Sequence, residues 1–368
     1  MSQRVLVAYD WLNVKDGGGE LVLYQVLKLY PEADVKVLLY EADRFAQQLA
    51  GHKVRASWLR FFPSFVKQRP HLLLPFVRSA VNSIDTTGYD LVVAVSSAWV
   101  KNLKLQPKQR CLVYCYSPAR MLWDSWPQAM TGRTKSQLAQ FYITRLASRL
   151  RLWDYYTSQS LQYEFIAISQ TVADRIKKFY HRASIIVAPP VIQPPTLALP
   201  KQDYWVVVSV LATYKQIDLA IKTCHKRQQK LVIVGDGPDR DRLEEVAAGS
   251  PYIRFVGRVT EADKWRWLGQ ARGFIFCSIE DFGIAPIEAL ACGTPVIALH
   301  DGGLAETIRA GRTGVFFDEP SIGALSAALD KAETTSWDQT CLRRTARRYQ
   351  PEKFREHWRA AIAHENHK

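Results

Sequence analysis

Short apolar runs recur along the chain, each followed by a polar or glycine-bearing loop and then a stretch of helical periodicity. In the first half, Arg4 to Leu12, Val35 to Tyr40, Leu91 to Val95, Cys111 to Cys115, Phe165 to Ile168 and Ile185 to Val187 read as buried strands. A helix is predicted from Leu21 to Leu29, and another from Thr171 to Tyr180 with Ser169 as its N-cap. Residues Ala188 to Pro200 are rich in proline, so a domain boundary is expected near residues 189–203. The alternation then restarts. Trp205 to Val208, Leu231 to Val234, Ile253 to Val256, Phe274 to Phe276 and Pro295 to Leu299 read as strands. Helices are predicted over Ile217 to Lys226, over Asp239 to Ala248, and from Pro286 to Ala291 with Gly293 as the C′ stop. Two doubly wound α/β domains facing a cleft follow from this repeat.

One stretch breaks the rhythm. In Val54 to Arg78, Trp58, Phe61, Phe62, Phe65 and Val66 fall at near-helical spacing among Arg60, Lys67 and Arg69, and three prolines forbid one long helix. Basic residues beside aromatics suit a membrane-surface element; a helical pair packed on its own domain fits the same spacing. Charge sharpens the choice. The chain carries a net +14, and Gly51 to Tyr155 holds 16 Lys and Arg against 4 Asp and Glu. The second half is nearly balanced. An anionic partner is expected for the first half, either a membrane surface or nucleic acid. No aromatic–glycine nucleic-acid motif accompanies the charge, so nucleic acid is set aside.

Length and composition exclude other classes. With 368 residues, 48% of them hydrophobic, the chain can bury two ordinary cores and is not a disordered protein. No uninterrupted run of 18 apolar residues occurs, so no transmembrane helix is predicted. The start, MSQRVLVAYDWLN, enters a strand pattern at once and does not read as a signal peptide. None of the six cysteines forms a C-x-x-C pair, which points to reduced thiols in a cytoplasmic protein and not to a zinc site.

Candidate chemistry clusters in FIFCSIEDFGIAPIEALACGTPVIAL, residues 274–299. Glu280 and Glu288 are separated by seven residues and bracket a loop and a helix start. Gly283 permits close backbone approach, and the helix N-terminus offers free N–H groups to an anionic or hydroxyl-rich ligand. A first-turn acid such as Glu288 also complements the helix dipole without any ligand. Near the N-terminus, Lys15-Asp16-Gly17-Gly18-Gly19-Glu20 is a glycine turn ahead of a helix, suited to a phosphate or simply to a tight connection. Asp239 and Asp241 open a helix, where acids complement the dipole, so this D-x-D is not taken as a metal site.

The frame E-D-F-G-I-A-P-I-E-A-L-A-C-G-T-P-V-I-A resembles the signature of the family-4 (group 1) retaining glycosyltransferases of GT-B fold. The resemblance extends over most of the chain, strongest from Trp205 to Phe317. It implies two Rossmann-like domains, an acceptor-side domain over 1–190 and a donor-nucleotide domain over 203–335, with a C-terminal helix over 336–368 as a tail crossing back to the first. It implies that Glu288 holds the donor ribose, while Glu280 and the backbone of Phe282, Gly283 and Ile284 hold sugar and diphosphate. Gly17 and Gly18 match a Gly-Gly loop facing the donor phosphates and the acceptor, and Gly257 and Arg258 match a loop against the nucleobase. Lys215 matches a lysine on the diphosphate, where it offsets charge on the leaving group. Asp301-Gly302-Gly303 and Glu306 resemble a Gly-Gly-x-x-Glu loop beside the donor.

Two positions depart from that pattern. Tyr116 stands where the resembled segment carries His near the reacting sugar; its hydroxyl can still donate one hydrogen bond. Val210 replaces a commoner Arg. Arg120 suits either a phosphate or an ion pair with Asp124.

The expected activity is retaining transfer of a hexose, with mannose-type donors such as GDP-mannose favoured, to a lipid-linked glycan or polysaccharide of the cell envelope such as lipopolysaccharide. The nucleotide-sugar is a co-substrate, and neither cofactor nor metal is implied. The enzyme is expected at the inner face of the cell membrane, bound peripherally to its anionic surface. A sugar-nucleotide epimerase, or a non-catalytic partner in a glycan assembly complex, stands as the alternative.

Overall fold

A computed structural model describes residues 3–12, 18–67, 70–124, 137–194 and 199–365. The chain divides into two compact units, Met1–Pro189 together with Phe354–Lys368, and Pro190–Lys353.

Among the described residues, the first unit is built on seven parallel strands: β1 (Val5–Leu12), β2 (Asp34–Tyr40), β3 (Val54–Ala56), β4 (Leu91–Ser96), β5 (Arg110–Cys115), β6 (Tyr163–Ala167) and β7 (Ser184–Ile186). Their order is β3-β2-β1-β4-β5-β6-β7. Every residue of β4 is buried, as a strand covered by helices on both faces requires. The second unit has six parallel strands: β8 (Trp205–Val208), β9 (Leu231–Val234), β10 (Ile253–Gly257), β11 (Gly273–Phe276), β12 (Val296–Leu299) and β13 (Gly314–Phe317), ordered β10-β9-β8-β11-β12-β13. Its core joins Trp205, Val207, Ile233, Ile275, Ile297 and Val315, one or more from five of these strands.

Both sheets reverse direction beside their first strand. β1 lies between β2 and β4, and β8 between β9 and β11. Ligand crevices of open parallel sheets form at such reversals, outside the carboxyl ends of the strands. In the first unit this place is locked by Asp10. Its buried carboxylate accepts hydrogen bonds from the backbone N–H groups of Ser97, Ala98, Trp99 and Val100 at 2.6–2.9 Å, tying the end of β1 to the turn after β4.

Two expectations need correction. The tail is not one helix but two, Gln339–Ala346 and Pro351–Glu365. Pro351 disfavours helical backbone in the residue before it, and Gln350 is extended. Only residues from Phe354 onward join the first unit, where Phe354 and Trp358 pack on Tyr114 with ring centroids 5.7 Å apart. The helix after β11 begins at Ile284, ahead of Pro286, so Glu288 sits in its second turn and gains less from the helix dipole. The 54–78 stretch forms short helical pieces over Trp58–Phe61, Ser64–Lys67 and Pro70–Leu73. All six cysteines are free thiols.

Candidate functional site

The loops after β8 and β11 meet at the reversal of the second sheet. The first carries Lys215, at the end of a short 3-10 turn, Thr213–Lys215. Gln216 then takes a left-handed backbone, φ 51°, and opens the helix Ile217–Lys226. The second loop carries Glu280. The two side chains form a direct ion pair and are 13% and 25% exposed, so both are desolvated yet reachable. Lys215 also lies over the rings of Tyr214 and Phe276, at 5.1 and 5.8 Å. A concavity lined by Ser209, Lys215, Phe276 and Ser278 opens here.

Two glycine positions shape the Glu280 loop. Gly283 has φ 84°, and a Cβ there would lie 2.6 Å from the Leu304 side chain. The double glycine after β12 packs directly beneath the loop. Gly303 donates its N–H to the Glu280 carbonyl at 2.8 Å, and a Cβ on it would lie 2.1 Å from the Asp281 carbonyl oxygen. The Phe282 ring turns inward against Tyr349, centroids 5.4 Å apart, and the residue is buried. Ile284 begins the helix Ile284–Ala291, whose first N–H groups lack intrahelical partners.

Glu288, on that helix, meets a partner the sequence did not announce. Lys264 Nζ lies 2.9 Å from its Oε1, with the side chains 16% and 12% exposed. Lys264 belongs to the helix Glu261–Gln270, N-capped by Thr260, and also reaches Glu261 at 3.0 Å. Burial pushes the Glu288 carboxyl above its ordinary range, and Lys264 offsets only part of this. Burial acts against the Lys264 charge too, but Glu288 and Glu261 together outweigh it and hold its pKa up. The pair therefore consists of a firmly charged ammonium and a carboxylate that burial makes a readier proton acceptor. The sequence signalled only the Glu261–Lys264 spacing within one helix.

The remaining site candidates are spread more widely. Gly257, φ 73°, ends β10, the edge strand of the second sheet, and exposed Arg258 follows it. In the first unit, Gly18 starts the helix Gly18–Leu29, while Gly17 lies outside the described residues. Tyr116, just past β5, donates its hydroxyl proton to the Gly19 carbonyl at 2.8 Å. Burial pushes its pKa far up, so the hydroxyl stays protonated and holds the start of that helix. Arg120 is exposed and opens the short helix Arg120–Trp123. Asp124, weighed as its ion partner, binds Arg175 at 2.8 Å. Asp239 is engaged with Arg242 at 2.7 Å.

Residues 192–350 match the family described as Glycosyl transferases group 1. A GDP-mannose-dependent alpha-(1-6)-phosphatidylinositol monomannoside mannosyltransferase of Mycolicibacterium smegmatis is 29% identical over 141 residues, 34% of this chain and 37% of that protein. Across such curated relatives the chain spans 12% to 37% of their length. Among solved structures, the lipopolysaccharide outer core galactosyltransferase WaaB superposes with a TM-score of 0.64 at 15% identity, covering 98% of this chain and 99% of that one. HepE of Anabaena, in complex with UDP-glucose, superposes with a TM-score of 0.65 at 16% identity, covering 97% and 99%. The fold is GT-B, two Rossmann-like α/β domains.

Proposed function

We propose that the chain is a retaining hexosyltransferase that takes a nucleotide-sugar donor in its second unit. The observation that carries this reading is the Lys215–Glu280 ion pair at the reversal point of the second sheet, beside a helix start where Gly283, with φ 84°, lets the loop pack against Leu304. A donor diphosphate would draw Lys215 from Glu280, freeing that carboxylate for hydroxyls of the sugar. Glu288 would accept hydrogen bonds from the ribose, with Lys264 keeping it ionised. Phe282, Gly283 and Ile284 would offer backbone N–H groups to the diphosphate, and Gly257 and Arg258 would flank the base. Gly17, Gly18, Tyr116 and Arg120 are assigned to the acceptor and phosphate side.

In the reaction, an acceptor hydroxyl oxygen bonds to the anomeric carbon as the bond from that carbon to the diphosphate oxygen breaks. Attack from the face the diphosphate leaves preserves the anomeric configuration. The hydroxyl proton passes to the departing phosphate oxygen, so no protein base is needed, and Lys215 offsets the charge that develops there. No cofactor or metal takes part in this scheme. The relative from Mycolicibacterium supports a mannose-type donor such as GDP-mannose, while HepE bound to UDP-glucose supports a uridine donor. The acceptor is proposed to be a lipid-linked glycan, with lipopolysaccharide or polysaccharide as the class, met by peripheral attachment to the inner membrane face. No helix among the described residues is long and apolar enough to cross a membrane.

Thermal unfolding of the full chain with a panel of GDP- and UDP-sugars tests the donor reading. A ligand held only by the folded state raises the melting temperature by mass action. One base is expected to stabilise over the other, and absence of any shift across the panel overturns the proposal.

A further inference from the structure

The long helix Gln137–Ser158 of the first unit presents an unusual outer face. Ala147, Leu150 and Asp154 point inward and are buried. Asp154 receives hydrogen bonds from Asn102, Trp123 and Tyr180 and an ion pair from Lys101, which fixes the helix on its unit. On the opposite side, Leu138, Tyr142, Arg145, Arg149, Leu152 and Tyr156 are all exposed. Their spacing alternates four and three residues without a break, so they form one straight stripe along about 27 Å of helix. Phe141 widens it, and Leu138 and Tyr156 at the two ends are 83% and 70% exposed. A helix anchored by one side ordinarily turns a polar face to solvent.

The stripe is symmetric about Ala147: apolar residues at both ends and two arginines in the middle. That symmetry argues against a second copy as its cover. Antiparallel pairing would set Arg145 of one copy against Arg149 of the other, and parallel pairing would set each arginine against itself. The face therefore suits a negatively charged surface that accepts apolar side chains.

A second patch lies on the same side of the sheet. The connection from β3 to β4 and the connection from β5 to β6, which contains this helix, run in the same direction across the strand order. Right-handed crossovers place both on one face. The β3–β4 connection exposes Phe61, Phe65, Leu72 and Phe76, with Arg60 stacked over Phe61 at 4.7 Å and Arg78 exposed nearby.

We propose that this face of the first unit, led by the Gln137–Ser158 helix, is the surface by which the protein lies on an anionic lipid bilayer. Leu138, Phe141, Tyr142, Leu152 and Tyr156 enter the headgroup boundary, and Arg145 and Arg149 meet lipid phosphates. This deepens the membrane part of the proposed function by naming the surface. The test is flotation of the full chain with vesicles of phosphatidylcholine alone, and with about a third phosphatidylglycerol, comparing wild type with Arg145→Gln/Arg149→Gln and with Phe141→Ser/Leu152→Ser. All four positions are exposed, so both variants fold. Stabilisation by the nucleotide-sugar is read on the same samples.

Wild type is expected to float with the anionic vesicles and to be released by salt. The arginine variant is expected to partition roughly thirtyfold more weakly, from the loss of two basic residues at the surface, and the apolar variant to lose its binding to the anionic vesicles. Both are expected to keep the wild-type response to nucleotide-sugar. Unchanged flotation in both variants overturns the proposal, as does a concentration-dependent dimer that the variants abolish while vesicle binding persists. Nucleotide-sugar stabilisation without vesicle binding sinks the surface alone; vesicle binding without nucleotide-sugar stabilisation upholds the surface and sinks the donor reading.

Discussion

Lys264 Nζ stands 2.9 Å from Glu288 Oε1, joining two helices of the second unit at the carboxylate proposed to hold the donor ribose. Because burial pushes the Glu288 carboxyl up and Lys264 offsets part of that, removing the ammonium must push it further.

Lys264→Met is expected to raise the donor KM by about tenfold to a hundredfold, the range for a hydrogen bond to a charged group lost in a desolvated setting. The pH dependence follows in sign. A carboxyl whose folded pKa is raised costs stability above that pKa and recovers it as the pH falls through it. The variant should therefore show its largest loss of melting temperature at neutral pH, with the deficit shrinking on acidification. Its acid limb of donor binding should move to higher pH. A profile parallel to wild type across the range speaks against the pairing.

Lys215→Ala is expected to lower kcat by about a hundredfold to a thousandfold and to raise donor KM by a smaller factor, as for a group that meets the bound diphosphate but stabilises charge mainly in the transition state. Glu288→Ala is expected to do the reverse, raising donor KM more than it lowers kcat. Steady-state kinetics with the donor identified by thermal shift separates the two, and identical effects would contradict the assigned roles.

Gly303→Ala places a methyl group 2.1 Å from the Asp281 carbonyl oxygen, so the Glu280 loop must move. Loss of about 1–3 kcal/mol of stability is expected, together with a fall in kcat. Gly311→Ala is the control, since it has φ 73° and nothing within 4 Å of the added carbon. It should cost about 1 kcal/mol and leave kcat alone. Equal kinetics in the two variants would show that the double glycine does not position Glu280.

Asp154→Ala leaves Lys101 buried without its counter-charge and strips a partner from Asn102, Trp123 and Tyr180. A loss of about 3–5 kcal/mol is expected for the first unit, measured by urea unfolding with a probe in that unit. Stabilisation of the second unit by nucleotide-sugar should persist.

The strand runs were legible because each is short, β-branched and closed by glycine, proline or a polar loop. Trp205 to Val208 and Leu231 to Val234 are found at those bounds. Glu280 and Lys215 were legible as motif positions, but their contact was not, because it depends on β8 and β11 being neighbours despite two intervening strands. Lys264 was hidden for the same reason: it reaches Glu288 from another helix, and its one local signal, the spacing to Glu261, does not point there. The Asp124–Arg175 pair also crosses between elements, and helical spacing pointed instead to Arg120. The stripe on the Gln137–Ser158 helix escaped notice because apolar residues in a helical pattern normally mark a core, and only the folded chain shows which side is covered.

Phe354 and Trp358 complete the aromatic packing on Tyr114, although all of Pro190–Lys353 lies between them in the chain. The second unit is thus an insertion within the first. During synthesis it has every residue it needs before the first unit does. The ribosome must release the segment beyond residue 353 before the earlier-made sheet can be sealed, so the half of the protein that emerges first is the half that finishes last.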